Sequence, residues 1–121
     1  MNVNYFFDSY SVIELLIENP TYNRFENEEI TITKFNLVEI YWHFLLDDEK
    51  IANDIFEKFK EGVAEVPDET LKEAMKFRKK HKKRNLSYAD CIGYIYALNN
   101  EMKFLTGDKE FGDLENVEFV R

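Results

Sequence analysis

Five short runs of apolar or β-branched residues alternate with longer stretches of helical periodicity, and few folds accommodate that alternation. Val3 to Phe7 and Lys103 to Thr106 are the cleanest runs, Ile30 to Thr33 is β-branched throughout, and Val63 to Val66 and Val117 to Val120 are shorter. Between them, apolar residues recur at helical spacing over Tyr10 to Glu18, Asn36 to Leu46, Asp48 to Gly62, Asp68 to Lys80 and Ser87 to Asn99. A polar-aromatic segment, Thr21 to Glu29, is expected as a further helix, and Pro20 stops the first one. Strands separated by helices of this size need crossover connections, which make neighbours parallel and place helices on both faces of the sheet. The chain is therefore predicted to be α/β, a three-layer α/β/α structure with a mostly parallel sheet of about five strands.

At 121 residues, with no internal repeat, low-complexity tract or linker, the expectation is one domain over residues 1–121. The single cysteine, Cys91, excludes a disulfide framework and suits a reducing cytoplasm. No basic-then-apolar leader opens the chain and no apolar stretch approaches the length of a membrane span, so a cytoplasmic protein without a membrane partner is expected.

Four acids stand in apolar surroundings. Asp8 ends the first strand run, and Glu39 interrupts Leu37-Val38-Glu39-Ile40-Tyr41-Trp42. Asp90 is the only charge between Arg84 and Glu101, and Asp108 follows Phe104-Leu105-Thr106-Gly107. A carboxylate with apolar neighbours is costly to desolvate unless something positive meets it, and in at least three cases no basic residue lies close in sequence. Each has an ordinary explanation. Asp8 and Asp108 can cap the next helix or turn, and Ser87-x-x-Asp90 is a variant capping box. Glu39 shares a helical face with Asn36, His43 and Asp47, which reads equally as a solvated stripe.

Taken together the four are not independent. Ligand sites of open parallel sheets lie outside the carboxyl ends of the strands, where strand order reverses. Asp8 and Asp108 end strands there, and Glu39 and Asp90 are expected in the first turns of helices starting at the same edge. Gly93 and Ala97, on the Asp90 face, are expected to leave room above that carboxylate. Four converging acids suit a hard divalent cation, Mg²⁺ or Mn²⁺.

The net charge of −8 argues against a polyanionic partner, but its distribution does not. Half of the 16 Lys and Arg residues fall between Lys72 and Arg84, ending in Arg78-Lys79-Lys80-His81-Lys82-Lys83-Arg84. That strip is either a solvated helix face or a grip on phosphates.

The ordered set Phe6-Phe7-Asp8-Ser9, Ile32-Thr33 with Glu39 in the next helix, Leu86-Ser87-Tyr88-Ala89-Asp90 and Leu105-Thr106-Gly107-Asp108-Lys109-Glu110-Phe111 resembles the PIN-domain ribonucleases. The likeness is strongest to the small VapC-type toxins of toxin–antitoxin pairs, and it covers essentially the whole chain. It implies that Asp8, Glu39, Asp90 and Asp108 are the catalytic, metal-binding acids. Ser9 and Thr106 match positions where the family carries a small hydroxyl that orients carboxylates. Asp113 matches either an auxiliary acid or a turn residue after Gly112. The implied activity is endonucleolytic cleavage of RNA to a 5′-phosphate and a 3′-hydroxyl, with an antitoxin as partner. Arg78, Lys79, Lys80, Lys82, Lys83 and Arg84 would grip flanking RNA phosphates. The resemblance gives Cys91, His43 and His81 no catalytic role.

Two other sheet-edge acid families fail on the residues. A haloacid-dehalogenase-type phosphatase needs an acid where Tyr10 stands, and a response-regulator receiver needs an acceptor Asp and a late Lys with no good counterparts here. A PIN-like interaction module without turnover stays open as the alternative. The helix from Asn36 to Leu46 is apolar over more than the stripe one core contact needs, which predicts a homodimer whose apolar surface also receives a partner.

Overall fold

The computed structural model describes residues 3–121. Its strands are β1 (Tyr5–Phe7), β2 (Ile32–Thr33), β3 (Val63–Ala64), β4 (Lys103–Thr106) and β5 (Val117–Phe119). Its α-helices are α1 (Ser9–Leu16), α2 (Lys34–Leu45), α3 (Glu49–Phe59), α4 (Asp68–Lys80) and α5 (Tyr88–Asn99). All pairings are parallel. β1, β4 and β5 form one sheet in the order β1-β4-β5, and β2 and β3 form a second. A single parallel bridge between Phe6 and Thr31, with Phe7 N–H donating to the Thr31 carbonyl at 3.0 Å, joins the two. The combined order is β3-β2-β1-β4-β5, so the strand order reverses between β1 and β4.

The period-2 rule accounts for the layers. Phe6 and Phe104 point to one face and pack with Ala74, Leu86, Ile92, Tyr94 and Phe111 beneath α4 and α5. Phe7 and Leu105, one residue on, point to the other and pack with Val12, Tyr22, Phe25, Leu37 and Ile40 beneath α1 and α2. Burial on both faces is why β1 and the Phe104-Leu105 centre of β4 put apolar residues at successive positions instead of alternate ones.

Several expectations change in detail. Residues 21–29 do not form an α-helix. A 3-10 turn spans Pro20–Phe25, with the Asn19 side chain accepting from Thr21 N–H and Pro20 lacking a donor at its start. The segment from Asp48 to Gly62 divides into α3, capped by Asp48, and a 3-10 turn at Lys60–Gly62. α2 starts at Lys34, two residues earlier than the apolar pattern suggests, because Thr33 and Asn36 form a reciprocal capping box. Glu39 therefore lies in the second turn of α2, not the first. Gly93 also has another purpose than leaving space above Asp90. A Cβ there would lie 2.5 Å from the Phe6 ring, so the glycine lets α5 settle directly on the sheet, and Ala97 is buried in the same core.

Candidate active site

Asp8 leaves β1 and caps α1, its Oδ1 accepting from Ser11 N–H at 2.7 Å. Its Oδ2 accepts from the Thr106 hydroxyl on β4 at 2.5 Å. Thr106 Oγ1 in turn accepts from Asp108 N–H at 3.0 Å, and Asp108 Oδ1 caps the Lys109–Phe111 turn through Glu110 N–H at 2.9 Å. One hydroxyl thus couples the two acids that end adjacent strands.

Glu39 is held from the other side. Its Oε1 accepts from the Ser9 hydroxyl at 2.5 Å, and Ser9 Oγ accepts from Asn36 Nδ2 at 3.0 Å. The Asn36 carbonyl oxygen accepts from Thr33 N–H at 2.9 Å and from the Thr33 hydroxyl at 2.8 Å. The helix face bearing Glu39 is a solvated stripe only at its far end, where His43 and Asp47 are exposed, while Asn36 is fully buried and fixes Ser9. Asn36 is the site residue that sequence reading passed over as one of that stripe. The available signal was Thr33-x-x-Asn36 at the end of a strand, which is a capping pair.

Asp90 sits in the first turn of α5, its N–H donating to the capping Ser87 hydroxyl at 3.0 Å. Ser87 supplies only that half of a capping box, so the Asp90 carboxylate is not spent on capping.

Asp8, Ser9, Glu39, Asp90 and Asp108 line one open pocket of about 590 Å³ at the carboxyl ends of β1 and β4, the switch point of the sheet. Tyr10, Ser87, Gly107, Lys109 and Arg121 complete its wall. Burial, reinforced by the negative charges of Asp8 and Glu39, pushes Asp90 up from 3.8 to about 7. Burial also pushes Asp8 up from 3.8 to about 6, against the opposing pull of its hydrogen bonds to Thr106 and Ser11. None of the four acids forms an ion pair among the described residues.

Among the described residues no three acidic, His or Cys side chains stand close enough together to hold one ion by themselves. The donor set nevertheless suits a hydrated hard cation, which takes one or two carboxylates and keeps several waters or substrate oxygens. Oxygen ligands without a competing basic partner, two of them raised by desolvation, fit such an ion.

The other expected residues lie elsewhere. Asp113 is paired bidentately with Arg84, at 2.8 and 3.1 Å, and does not line the pocket. Arg84 also donates to the Glu110 carbonyl at 2.9 Å. Arg78 donates to the Leu86 carbonyl at 3.0 Å and stacks on Tyr88 with its guanidinium carbon 4.3 Å from the ring centroid. Both arginines of the basic strip are thus engaged within the fold, while Lys79, Lys80, Lys82 and Lys83 are exposed. A second pocket of about 540 Å³ adjoins the first, sharing Glu39 and Ser87 and lined by Phe35, Val38, Tyr88 and Ala89.

Three solved structures share this fold. A toxin–antitoxin complex from Klebsiella pneumoniae superposes with a TM-score of 0.74 at 16% identity, covering 95% of this chain and 96% of that one. The VapBC2 complex from Rickettsia felis, bound to a DNA fragment from its promoter, gives 0.72 at 14% identity over 98% and 100% of the two chains. A protein from Pyrobaculum aerophilum gives 0.71 at 18%, covering 97% and 89%. No curated protein matches the sequence. Residues 5–117 match the PIN domain family, from the first strand to the last, and the chain belongs to that family.

Proposed function

We propose that the protein is a Mg²⁺- or Mn²⁺-dependent endoribonuclease and the toxin of a toxin–antitoxin pair, acting in the cytoplasm. The observation that carries this reading is the gathering of Asp8, Glu39, Asp90 and Asp108, none in an ion pair, around one pocket at the switch point of the sheet. A bound divalent ion supplies an activated water and neutralises the charge that develops on a phosphodiester during hydrolysis. The chain's own contribution is orientation. Thr106 fixes the Asp8 carboxylate, and Ser9, held by the buried Asn36, fixes Glu39. Asp90, pressed by burial and by its acidic neighbours, has the most to gain from a cation.

The similar complexes from K. pneumoniae and R. felis favour an antitoxin as partner. The apolar pocket beside the acids is a fitting seat for it, since Phe35, Val38 and Tyr88 are exposed there, and Trp42 on α2 and Leu46 just past its end are exposed as well. A homodimer built on the remaining apolar surface belongs to the same reading. That surface is also what an interaction module without turnover would use.

Incubation with a mixed pool of cellular RNA separates the readings. Cleavage by the wild type in Mg²⁺ or Mn²⁺, abolished by EDTA and by Asp8→Asn, is the expected result. Asn caps a helix as well as Asp does, so the substitution removes charge without removing the cap of α1. Cleavage that survives Asp8→Asn contradicts the assignment, and absence of cleavage in the wild type favours the interaction module.

A further inference from the structure

Tyr10, Lys109 and Arg121 line the acidic pocket without taking part in holding its carboxylates. Tyr10 is 47% exposed, although it follows directly on the buried Asp8 and Ser9. Its ring lies against the loop after β4, where a Cβ on Gly107 would come 2.4 Å from Tyr10 Cε1 and 2.9 Å from the Tyr22 hydroxyl. Only glycine permits that approach. The Tyr22 ring then meets Tyr10 at 6.4 Å and 65°, an edge contact. One side of the ring is fixed by the fold, the hydroxyl stands beside Glu14, and the exposed remainder includes the part that lines the pocket.

Arg121 is delivered to the same place by the last strand. Val120 N–H extends the β4–β5 ladder to the Thr106 carbonyl at 2.9 Å, and the Val120 carbonyl accepts from the buried Tyr22 hydroxyl at 3.1 Å. Thr106 and Tyr22 thereby tie the position of Arg121 to the residues that hold Asp8 and support Tyr10. Lys109 opens the turn capped by Asp108. Neither cation forms an ion pair among the described residues, although both border an acidic pocket. Two uncommitted cations and a braced aromatic ring, side by side, match the parts from which single-stranded nucleic acid is gripped.

We propose that Tyr10, Lys109 and Arg121 form a single-stranded RNA subsite on the rim of the acidic pocket, with Tyr10 a platform for one unpaired base and the two cations contacts for adjoining phosphates. The proposal rests on the nuclease reading and deepens it. Unpaired RNA is specified because a base inside a duplex is already stacked and presents no free face to an aromatic ring. It also moves the principal phosphate contacts from the α4 strip to the pocket itself.

The test is fluorescence-anisotropy binding of a short labelled single-stranded RNA to the full chain in Mn²⁺, across a salt series, in an Asp8→Asn background that prevents cleavage. Steady-state cleavage is measured in the parent background. Tyr10→Ala should weaken binding about tenfold and raise KM more than it lowers kcat, while Tyr10→Phe retains affinity because the ring is kept. Lys109→Gln and Arg121→Gln should each flatten the salt dependence by about 0.7 in log–log slope, the loss of one single-strand phosphate contact. Melting curves establish that each variant is folded, and the Tyr10→Phe comparison excludes a collapse of the Gly107 loop. Binding within twofold of the parent and an unchanged slope in all three removals, alongside metal-dependent cleavage by the wild type, would overturn the subsite and leave the nuclease reading intact. A wild type that neither binds nor cleaves RNA would overturn both.

Discussion

The acidic pocket and the basic strip on α4 treat charge in opposite ways. In the pocket, carboxylates sit in surroundings that push two of them upward, and no described basic side chain pairs with them. On the strip, lysines face water, and its two arginines serve the fold by binding the Leu86 and Glu110 carbonyls and Asp113. An exposed charge is tolerated at little cost, so its presence carries little information about function. A desolvated charge without a partner opposes folding, so its retention points to a ligand that meets it. Charge is densest along the sequence in the strip; burial and geometry favour the pocket.

The largest effect that would break this contrast is on turnover. Asp90→Asn should lower metal-dependent RNA cleavage by orders of magnitude, measured as initial rate under matched metal. Reversing Lys79, Lys80, Lys82 and Lys83 to Glu should leave kcat close to wild type and act mainly through KM. Equal losses in kcat from both variants would remove the distinction between the regions.

The pH dependence of stability is the next largest effect. In the metal-free protein, the Asp8 and Asp90 pKa values are about 6 and about 7, against 3.8 for the unfolded chain. A raised folded value means that the native state keeps protons the unfolded chain has released. The stability these groups contribute is full below about pH 4 and is lost as pH rises through about 6 and 7. The difference in melting temperature between Asp90→Asn and wild type, both in EDTA, should therefore grow in favour of the variant across that window. A constant difference would mean that Asp90 titrates as an ordinary surface acid.

The smallest effects belong to the strip. Arg84→Ala or Asp113→Ala removes an exposed bidentate pair that holds Asp113 below its ordinary range. Exposed pairs contribute little in water, a bidentate one toward the upper end of that small range, and Arg84→Ala also removes the bond to the Glu110 carbonyl. The melting temperature should fall slightly and cleavage should be unchanged, which would also separate Asp113 from the catalytic acids. A loss of cleavage in Asp113→Ala would restore it as an auxiliary acid.

Much of the fold was legible because parallel strands buried on both faces leave a strong signature. Tyr5 to Phe7 and the Phe104-Leu105 centre of β4 are apolar without alternation, and the helices between them carry their own periodicity. Asp8 and Asp108 could be placed at one edge from strand direction alone. What escaped was set by tertiary contacts. Gly93 looked like space over Asp90, yet the space is filled by the Phe6 ring, which sequence spacing cannot reveal. Asn36 looked like one polar residue of a stripe, and its importance comes from Ser9, 27 positions away. Arg121 and Lys109 were invisible as pocket residues because they come together with Tyr10 only through the pairing of β4 with β5 and the turn after Gly107. Residues 21–29 mix Arg24 and glutamates with the weak helix formers Thr21, Asn23 and Asn27, and Pro20 with the Asn19 cap favours a tighter turn.

Asp8, Glu39, Asp90 and Asp108 are proposed as one metal site and not as four unrelated polar ends of secondary structure. Melting curves of wild type and Asp90→Asn, each with EDTA and with Mn²⁺, test it most directly. An ion that binds only the folded protein stabilises it by about 2.7 kcal/mol at about 100 times its dissociation constant. That gain is expected in the wild type. Asp90→Asn should melt higher than wild type in EDTA, through loss of a buried charge and relief of repulsion, and gain little or nothing from Mn²⁺. A wild type indifferent to Mn²⁺, together with an Asp90→Asn protein that melts lower in both conditions, would contradict it.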